Sequence, residues 1–262
     1  MRATLAQESE SRNDAGARPA AGVPHDEATV AYFDDCVPEY GTSRLQFAAR
    51  FVADRAEPGS GLIDIGCGTG NTLAYLSAEA GISNVAGLDV SENCLDQVRE
   101  RLDCETHHGS ILDSEMIAHI DARFDFAIVA AVLHHLIGRT RAESRRYAML
   151  AVDNALSLVK PGGYLIVHEP VYYPSLAMSA VFYVKKGVTR MTSKRVPLLG
   201  YWNNIGAPVV SYYTNEGLIE MVTRGDNELV AEEIREEEVP RAVRKLLRRT
   251  STTLIVRRPS SP

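Results

Sequence analysis

Leu62-Ile63-Asp64-Ile65-Gly66-Cys67-Gly68-Thr69-Gly70-Asn71, with Gly87-Leu88-Asp89-Val90-Ser91 further on, is the part of the chain that decides its fold. An apolar run from Gly61 to Ile65 ends in a Gly-X-Gly-X-Gly turn and passes into a helical pattern from Asn71 to Ala80. A second apolar run then ends in a carboxylate, Asp89. Glycines at a strand-to-helix turn let the backbone approach a ligand closely, because a Cβ there would collide with it. An acid at the end of the next strand can accept hydrogen bonds from both hydroxyls of a ribose. The pair predicts a nucleoside-containing cofactor over the ends of two adjacent parallel strands.

The dinucleotide fingerprint, Gly-X-Gly-X-X-Gly, brings a pyrophosphate to a helix N-terminus. Here the third glycine comes one residue early, and Asp64 stands two residues before the first. A carboxylate in that place repels a pyrophosphate but suits an ammonium or sulfonium group. No phosphate loop of the Gly-X-X-X-X-Gly-Lys-Ser/Thr type is present, and no Lys falls near the turn. The chemistry calls for a ribose-bearing, cationic, phosphate-free ligand. S-adenosylmethionine fits that description.

At this point the sequence resembles the class I S-adenosylmethionine-dependent methyltransferases, of the small-molecule type. The cofactor loop and the Asp89 block carry the resemblance, joined by His108-Gly109-Ser110-Ile111 on the adenine side. Phe124-Asp125-Phe126-Ala127-Ile128-Val129-Ala130-Ala131-Val132-Leu133-His134-His135-Leu136 and Leu158-Val159-Lys160-Pro161-Gly162-Gly163-Tyr164-Leu165-Ile166-Val167 complete it. The blocks stand in the family's order, and the resemblance covers roughly residues 28 to 168. It implies a doubly wound, Rossmann-like α/β fold with a seven-stranded, mostly parallel sheet, an antiparallel edge strand, N-terminal helices and a lid insertion. It also implies that Gly66, Gly68 and Gly70, with Cys67 between them, approach the cofactor. Asp64 then orders the loop or faces the cationic end of the methionine, and Asp89 takes the ribose. Val90 packs on adenine, Ser110 and Ile111 flank its edge, and Ala130 lies near the methionine portion. Tyr32 and Tyr40 become candidate covers over the cofactor, or packing on the domain surface. The sequence departs from the family at Ser110, where an acid often follows the glycine, so the adenine amino group is left to a hydroxyl or to backbone.

The 262 residues suit one larger α/β domain, with 26–262 as the methyltransferase domain behind a disordered tail at 1–25. That tail is rich in Ala, Arg, Ser, Glu and Pro. No apolar run reaches the length of a transmembrane helix, and no apolar h-region opens the chain, so a cytoplasmic protein is expected. Cys36, Cys67, Cys94 and Cys104 show no paired or metal-ligand spacing, so reduced thiols and no metal are expected.

Helical patterns precede the glycine loop, from Asp26 and from about Thr42 to Ala56. Strands are then predicted near 62–66, 84–89, 104–108, 124–131 and 163–169, with helices near 71–80, 92–102, 113–119 and 140–159. Gly81 should end the first of these helices and Ser91 cap the second. Such alternation means a parallel sheet with helices on both faces, binding its ligand at the carboxyl ends of the strands where their order reverses. Two more strands are predicted at 228–236 and 252–257.

Residues 171–215 are the expected lid. Eight of the chain's eighteen aromatics fall there, with Lys185, Lys186, Arg190, Lys194 and Arg195 and no acid. Tyr172, Tyr173, Tyr183, Trp202 and Tyr212 are the candidate substrate contacts. Such an imbalance suits an acidic substrate, an acyl-carrier partner or an anionic membrane surface, and the amphipathic pattern over 175–190 keeps peripheral membrane contact open. A second basic run, Arg241 to Arg249, reads as one solvated helix or loop. Nucleic acid is not expected, because the chain carries a net charge of −6 and no RNA-binding or base-methylation motif.

Methyl transfer from a sulfonium is an in-line displacement that needs positioning and, for a weakly acidic acceptor, a base. His134 and His135 after the fourth strand, and His168 and Glu169 ending the fifth, are the candidates, with a backbone-bonding role as the alternative for the histidine pair. The functional expectation is methyl transfer to an O or N atom of a small, aromatic or acidic metabolite, of the kind made in secondary metabolism. The alternatives are a protein of this fold that binds the cofactor without methylating, or a tRNA or protein methyltransferase. The oligomeric state is not legible.

Overall fold

A computed structural model of the protein describes residues 41–121, 123–189, 209–239 and 245–260. A 3-10 turn, Thr42–Leu45, leads into α1, Gln46–Ala53, and then β1, Gly61–Ile65. Strand and helix alternate from there: α2 (Asn71–Ala80), β2 (Asn84–Asp89), α3 (Glu92–Arg101), β3 (Glu105–His108), α4 (Ser114–Ala118) and β4 (Phe124–Ala130). A 3-10 turn at Leu133–His135 precedes α5 (Arg141–Leu158) and β5 (Val159–Tyr173). The chain continues through α6 (Ser175–Thr189), α7 (Asn215–Val222), β6 (Glu228–Glu237) and β7 (Arg248–Arg257).

The seven strands form one sheet in the order β3-β2-β1-β4-β5-β7-β6. Strands β1 to β5 are mutually parallel, and β7 runs antiparallel to both β5 and β6. The antiparallel strand therefore lies one place in from the edge, which β6 occupies. Strand order reverses between β1 and β4, and the glycine turn opens at that point. Every residue of β1 is buried, which is why it reads as a continuous apolar run rather than an alternation.

Two apolar layers hold the sheet. Ile63, Ile65, Ala127, Val129, Leu165 and Val167 face α5 and α7. Leu62, Phe126, Ile128, Ile166 and Ile255 face α1 and α2. Helix ends follow local chemistry: Gly81 closes α2 in the left-handed region, and Ser91 Oγ accepts the Cys94 amide to cap α3. Thr140 Oγ1 accepts the Glu143 amide at the start of α5, while Glu143 Oε2 accepts the Arg139 amide.

The predicted elements appear close to their predicted bounds, with four differences, the first being that β5 begins at Val159 rather than near 163. Strand β5 runs four residues past 169, because β7 pairs with it as far as Tyr173↔Arg248. Residues 171–173 of the expected lid thus belong to the sheet. Helix α7, capped by Thr214 accepting the Gly217 amide, falls where no element was predicted. The basic run Arg241 to Arg249 is not one solvated helix or loop, since its last two residues open β7.

Candidate active site

The glycine turn sits at the carboxyl edge of β1. Gly66, Gly68 and Gly70 have φ of 71°, 51° and 79°, a region costly for any residue with a Cβ. A Cβ on Gly66 would lie 2.4 Å from Val132 Cγ2, so the β1 and β4 turns touch here. Asp89 ends β2 and holds the turn: Oδ2 accepts the Gly68 amide at 2.8 Å and Oδ1 the Ser91 amide at 2.9 Å. An ionised carboxylate accepts at about four sites, a capacity that suits a vicinal diol.

Asp64 is buried beneath the turn, with the Leu73 amide on its carboxyl and Oδ2 left without a hydrogen-bond partner. Burial, and then the charge of Asp89, push its pKa up to about 7, while Arg44 pulls the other way. A buried, half-satisfied carboxyl is what a cationic ligand group stabilises. The residues present therefore fit S-adenosylmethionine. Asp89 would hold the ribose and Asp64 the ammonium end, with the glycine backbone between them. Cys67 is buried against Gly87, and its thiol pKa is raised by burial first and by Asp64 and Asp89 next, so it is inert packing rather than a nucleophile.

On the adenine side, the Val90 carbonyl is 3.1 Å from His108 Nε2. Ser110 Oγ accepts the Leu112 amide at 3.1 Å, so the hydroxyl shapes its own turn. Ile111 is buried, and its carbonyl accepts from Asn154 of α5 at 2.7 Å. Nothing in the sequence around Asn154 signals this link across 43 residues.

At the end of β4 the backbone is strained. Ala130 closes the strand, and Ala131 takes φ of 61°, rare for a residue other than glycine. Its amide donates to the His168 carbonyl at 2.8 Å. Glu169 Oε1 then accepts the Val132 and Leu133 amides at 2.9 and 2.7 Å, which caps the 3-10 turn from the neighbouring strand. The other carboxylate oxygen lies 2.6 Å from His134 Nδ1, and both side chains are buried. The His134 ring stacks on Tyr212 at 5.5 Å, Tyr212 meets Tyr172 at 4.3 Å, and the Ser211 amide donates to the His134 carbonyl.

The four candidate bases separate by strand alternation. Glu169 shares the face of Val167 and Val171, towards α5, and brings His134 with it. His168 shares the face of Ile166, towards α1, with Nδ1 2.9 Å from Thr253 Oγ1 and Nε2 3.2 Å from Ser251 Oγ. Burial, followed by Arg44, Arg235 and Arg249, lowers its pKa to about 3. His135 is partly buried, and burial, His134 and Lys185 hold it well below the usual imidazole value.

Among the lid candidates, Tyr172 and Tyr212 are brought together beside His134. Tyr173 instead accepts the Asn215 amide with its hydroxyl, and Tyr183 is half exposed on α6. Arg141 fastens this region by donating to Ser179 Oγ at 2.6 Å and to the Tyr212 carbonyl. Tyr32, Tyr40 and Trp202, together with the 1–25 tail and the helix predicted from Asp26, lie outside the described residues. No group of three or more His, Cys, Asp or Glu among the described residues could hold a metal ion. No helix among them is long and apolar enough to cross a membrane.

Comparison with known proteins bears on the fold and the domain. Residues 63–167 match the family described as "Methyltransferase domain". A dTDP-3-amino-3,4,6-trideoxy-alpha-D-glucopyranose N,N-dimethyltransferase of Streptomyces venezuelae is 32% identical over 48% of this chain and 48% of its own. An O-methyltransferase of Pyrenophora dematioidea is 27% identical over 49% of this chain and 51% of its own. The chain thus spans about half the length of these curated relatives. A methyltransferase structure from Methanosarcina mazei shares the fold, with a TM-score of 0.57 and 15% identity over 80% of this chain and 97% of that one. Residues 63–167 are thus similar to the S-adenosylmethionine-dependent methyltransferase domain, and the cofactor this implies is S-adenosylmethionine.

Proposed function

We propose that the protein transfers a methyl group from S-adenosylmethionine to an O or N atom of a small metabolite, aromatic or acidic, in secondary metabolism. The observation that carries this reading is the cradle at the β1 edge, where Asp89 steadies the glycine turn and Asp64 keeps an unpartnered buried oxygen beneath it. When bound, the cofactor supplies an electrophilic methyl group on a sulfonium. The strained turn at Ala131 positions the β4 edge, and the packed rings of Tyr172 and Tyr212 back the His134 ring as an aromatic wall of the acceptor side.

His134 is the base in this reading. Glu169 fixes its ring through Nδ1, which leaves Nε2 as the nitrogen that can take a proton from an acceptor hydroxyl or ammonium. His168, tied to Ser251 and Thr253, is a positioning residue. A cytoplasmic protein with reduced thiols completes the proposal, since Cys67, Cys94 and Cys104 are all free.

The test is transfer of a labelled methyl group from S-adenosylmethionine to a metabolite extract. Label in small products supports the proposal. Label confined to RNA or protein overturns the small-molecule assignment, and cofactor binding with no transfer overturns methylation itself. Asp89→Ala should weaken cofactor binding by about tenfold or more, through lost ribose contacts and two stranded amides. Unchanged binding would remove Asp89 from the site.

A further inference from the structure

Helix α5 carries a buried amide that neither the cradle nor the acceptor side uses. Asn154 lies in a run of buried apolar residues, Ala151, Val152, Ala155, Leu156 and Leu158, which share one core with Ile111, Leu112 and Ile117. Asparagine is a poor residue for a helix interior, and a buried amide costs free energy unless its groups are paired. Both ends of this one are paired, and both partners come from the short segment between Ile111 and Ser114. Nδ2 donates to the Ile111 carbonyl at 2.7 Å, and Oδ1 accepts the Ser114 hydroxyl at 3.1 Å. A carbonyl can only accept, so the NH2 group must face Ile111, and the Ser114 bond holds the amide that way round.

That segment continues the one expected along the edge of adenine, and its backbone is locked. The Leu112 amide donates to Ser110 Oγ at 3.1 Å, and the Asp113 amide donates to the Ser110 carbonyl at 2.9 Å. The peptide between Ile111 and Leu112 is therefore held on both sides, by Asn154 at its carbonyl and by Ser110 at its amide. Asp113 Oδ1 accepts the Met116 amide and fixes the start of α4 just beyond. Ser110 stands where an acid is common, and its Oγ is already shaping the turn. Reading the base then falls largely to main chain, which offers the Ile111 amide as a donor in fixed geometry. Adenine suits such a donor because its N1 accepts a hydrogen bond. Hypoxanthine, which carries a hydrogen on N1, does not.

We propose that Asn154 is the positioning residue for adenine selectivity, acting from α5 through Ile111 to set the 110–112 turn that meets the base. The inference rests on the cofactor assignment and not on the acceptor. It gives α5 a share in the cofactor site without requiring Asn154 to touch the cofactor.

The experiment compares S-adenosylhomocysteine with S-inosylhomocysteine by calorimetry on the full chain. The two differ only in the base, where a C6 oxygen and an N1–H replace the amino group and the bare N1. The parent should bind the adenine compound about tenfold or more tighter. Asn154→Asp keeps the size and the acceptor for Ser114 but sets a carboxylate oxygen against the Ile111 carbonyl. It should bring the two affinities within about threefold of each other, mainly by weakening the adenine compound. Ser114→Ala leaves the Ile111 bond in place, and it should lower the preference by about two- to threefold with a Tm near the parent's. That variant carries the test if Asn154→Asp does not fold. A merely structural role would lower Tm and weaken both compounds equally, which overturns the proposal. A preference unchanged in the folded variants, or a parent that binds both compounds alike, overturns it too. A parent that binds neither removes the cofactor assignment together with the inference, so the two failures are told apart.

Discussion

The two halves of the sheet's carboxyl edge hold their polar groups in different ways. On the β1–β2 side, backbone meets side chain at short range: Asp89 grips amides of Gly68 and Ser91, and three glycines take conformations closed to other residues. On the β4–β5–β7 side, side chains from distant strands hold one another: Glu169 grips a turn and His134 from β5, and Ser251 and Thr253 grip His168 from β7. The first half is a rigid cradle in which a substitution acts through geometry. The second is a set of pairwise bonds that single substitutions can cut one at a time.

Gly66→Ala should therefore produce the largest effect. It places a Cβ 2.4 Å from Val132 Cγ2 in a residue with φ of 71°. The left-handed backbone and the overpacking together cost about 2–4 kcal/mol. Thermal unfolding should show a lower Tm, and cofactor affinity should fall about thirtyfold or more. Adding Val132→Ala should recover the steric share and leave the backbone share. A Gly66→Ala protein with parental Tm and affinity would show that the β1 and β4 turns do not meet as described.

Glu169→Gln cuts the other half. The amide oxygen can still accept the Val132 and Leu133 amides, but its NH2 group faces His134 Nδ1 and forces the other tautomer. Under the proposed role, kcat should fall about a hundredfold while KM stays within about threefold. The imidazole 15N shifts of His134 should report the tautomer change. A fall in Tm with unchanged kcat would leave Glu169 a cap and nothing more.

A smaller effect comes from the protonation of Asp64. Its pKa rises from 3.8 to about 7 through burial and the neighbouring Asp89. Below that value the carboxyl is neutral and offers an ammonium no counter-charge. Cofactor affinity should rise about tenfold between pH 6 and pH 8, and Asp64→Asn should flatten that slope. The same shift opposes folding as pH climbs from about 4 to 7, because the unfolded chain ionises first. Affinity that falls with pH over this range would place the ammonium elsewhere.

The same contrast explains what could be read from the chain. Gly66, Gly68, Gly70 and Asp89 lie within 24 residues and leave a motif, since backbone conformation is written in glycine spacing. The α/β alternation is legible for a related reason, because buried parallel strands need continuous apolar runs. The Glu169–His134 bond spans 35 residues and the His168–Thr253 bond 85, and no local pattern records either. Arg249 is a clearer case. In sequence it belongs to a solvated basic run, and only pairing with the extension of β5 turns it onto Tyr172. Ala131 gives no signal at all, because alanine normally avoids the conformation it holds.

His168→Gln should give the smallest change, and it separates the two histidines that the sequence could not. Both His168 ring nitrogens already face hydroxyls of β7, and burial keeps the ring neutral. Its loss removes two hydrogen bonds worth roughly 0.5–1.5 kcal/mol each, part of which the glutamine amide replaces. The expected outcome is a slightly lower Tm, a KM rise within about threefold and kcat nearly unchanged, measured beside His134→Gln under identical conditions. A base must hold and release its proton near the working pH, and a ring pushed to about 3 by burial and three guanidinium groups does not. If His168→Gln instead lost a hundredfold in kcat while His134→Gln did not, the catalytic chemistry would belong on the α1 face. The Glu169–His134 pair would then be scaffolding for the β4 turn.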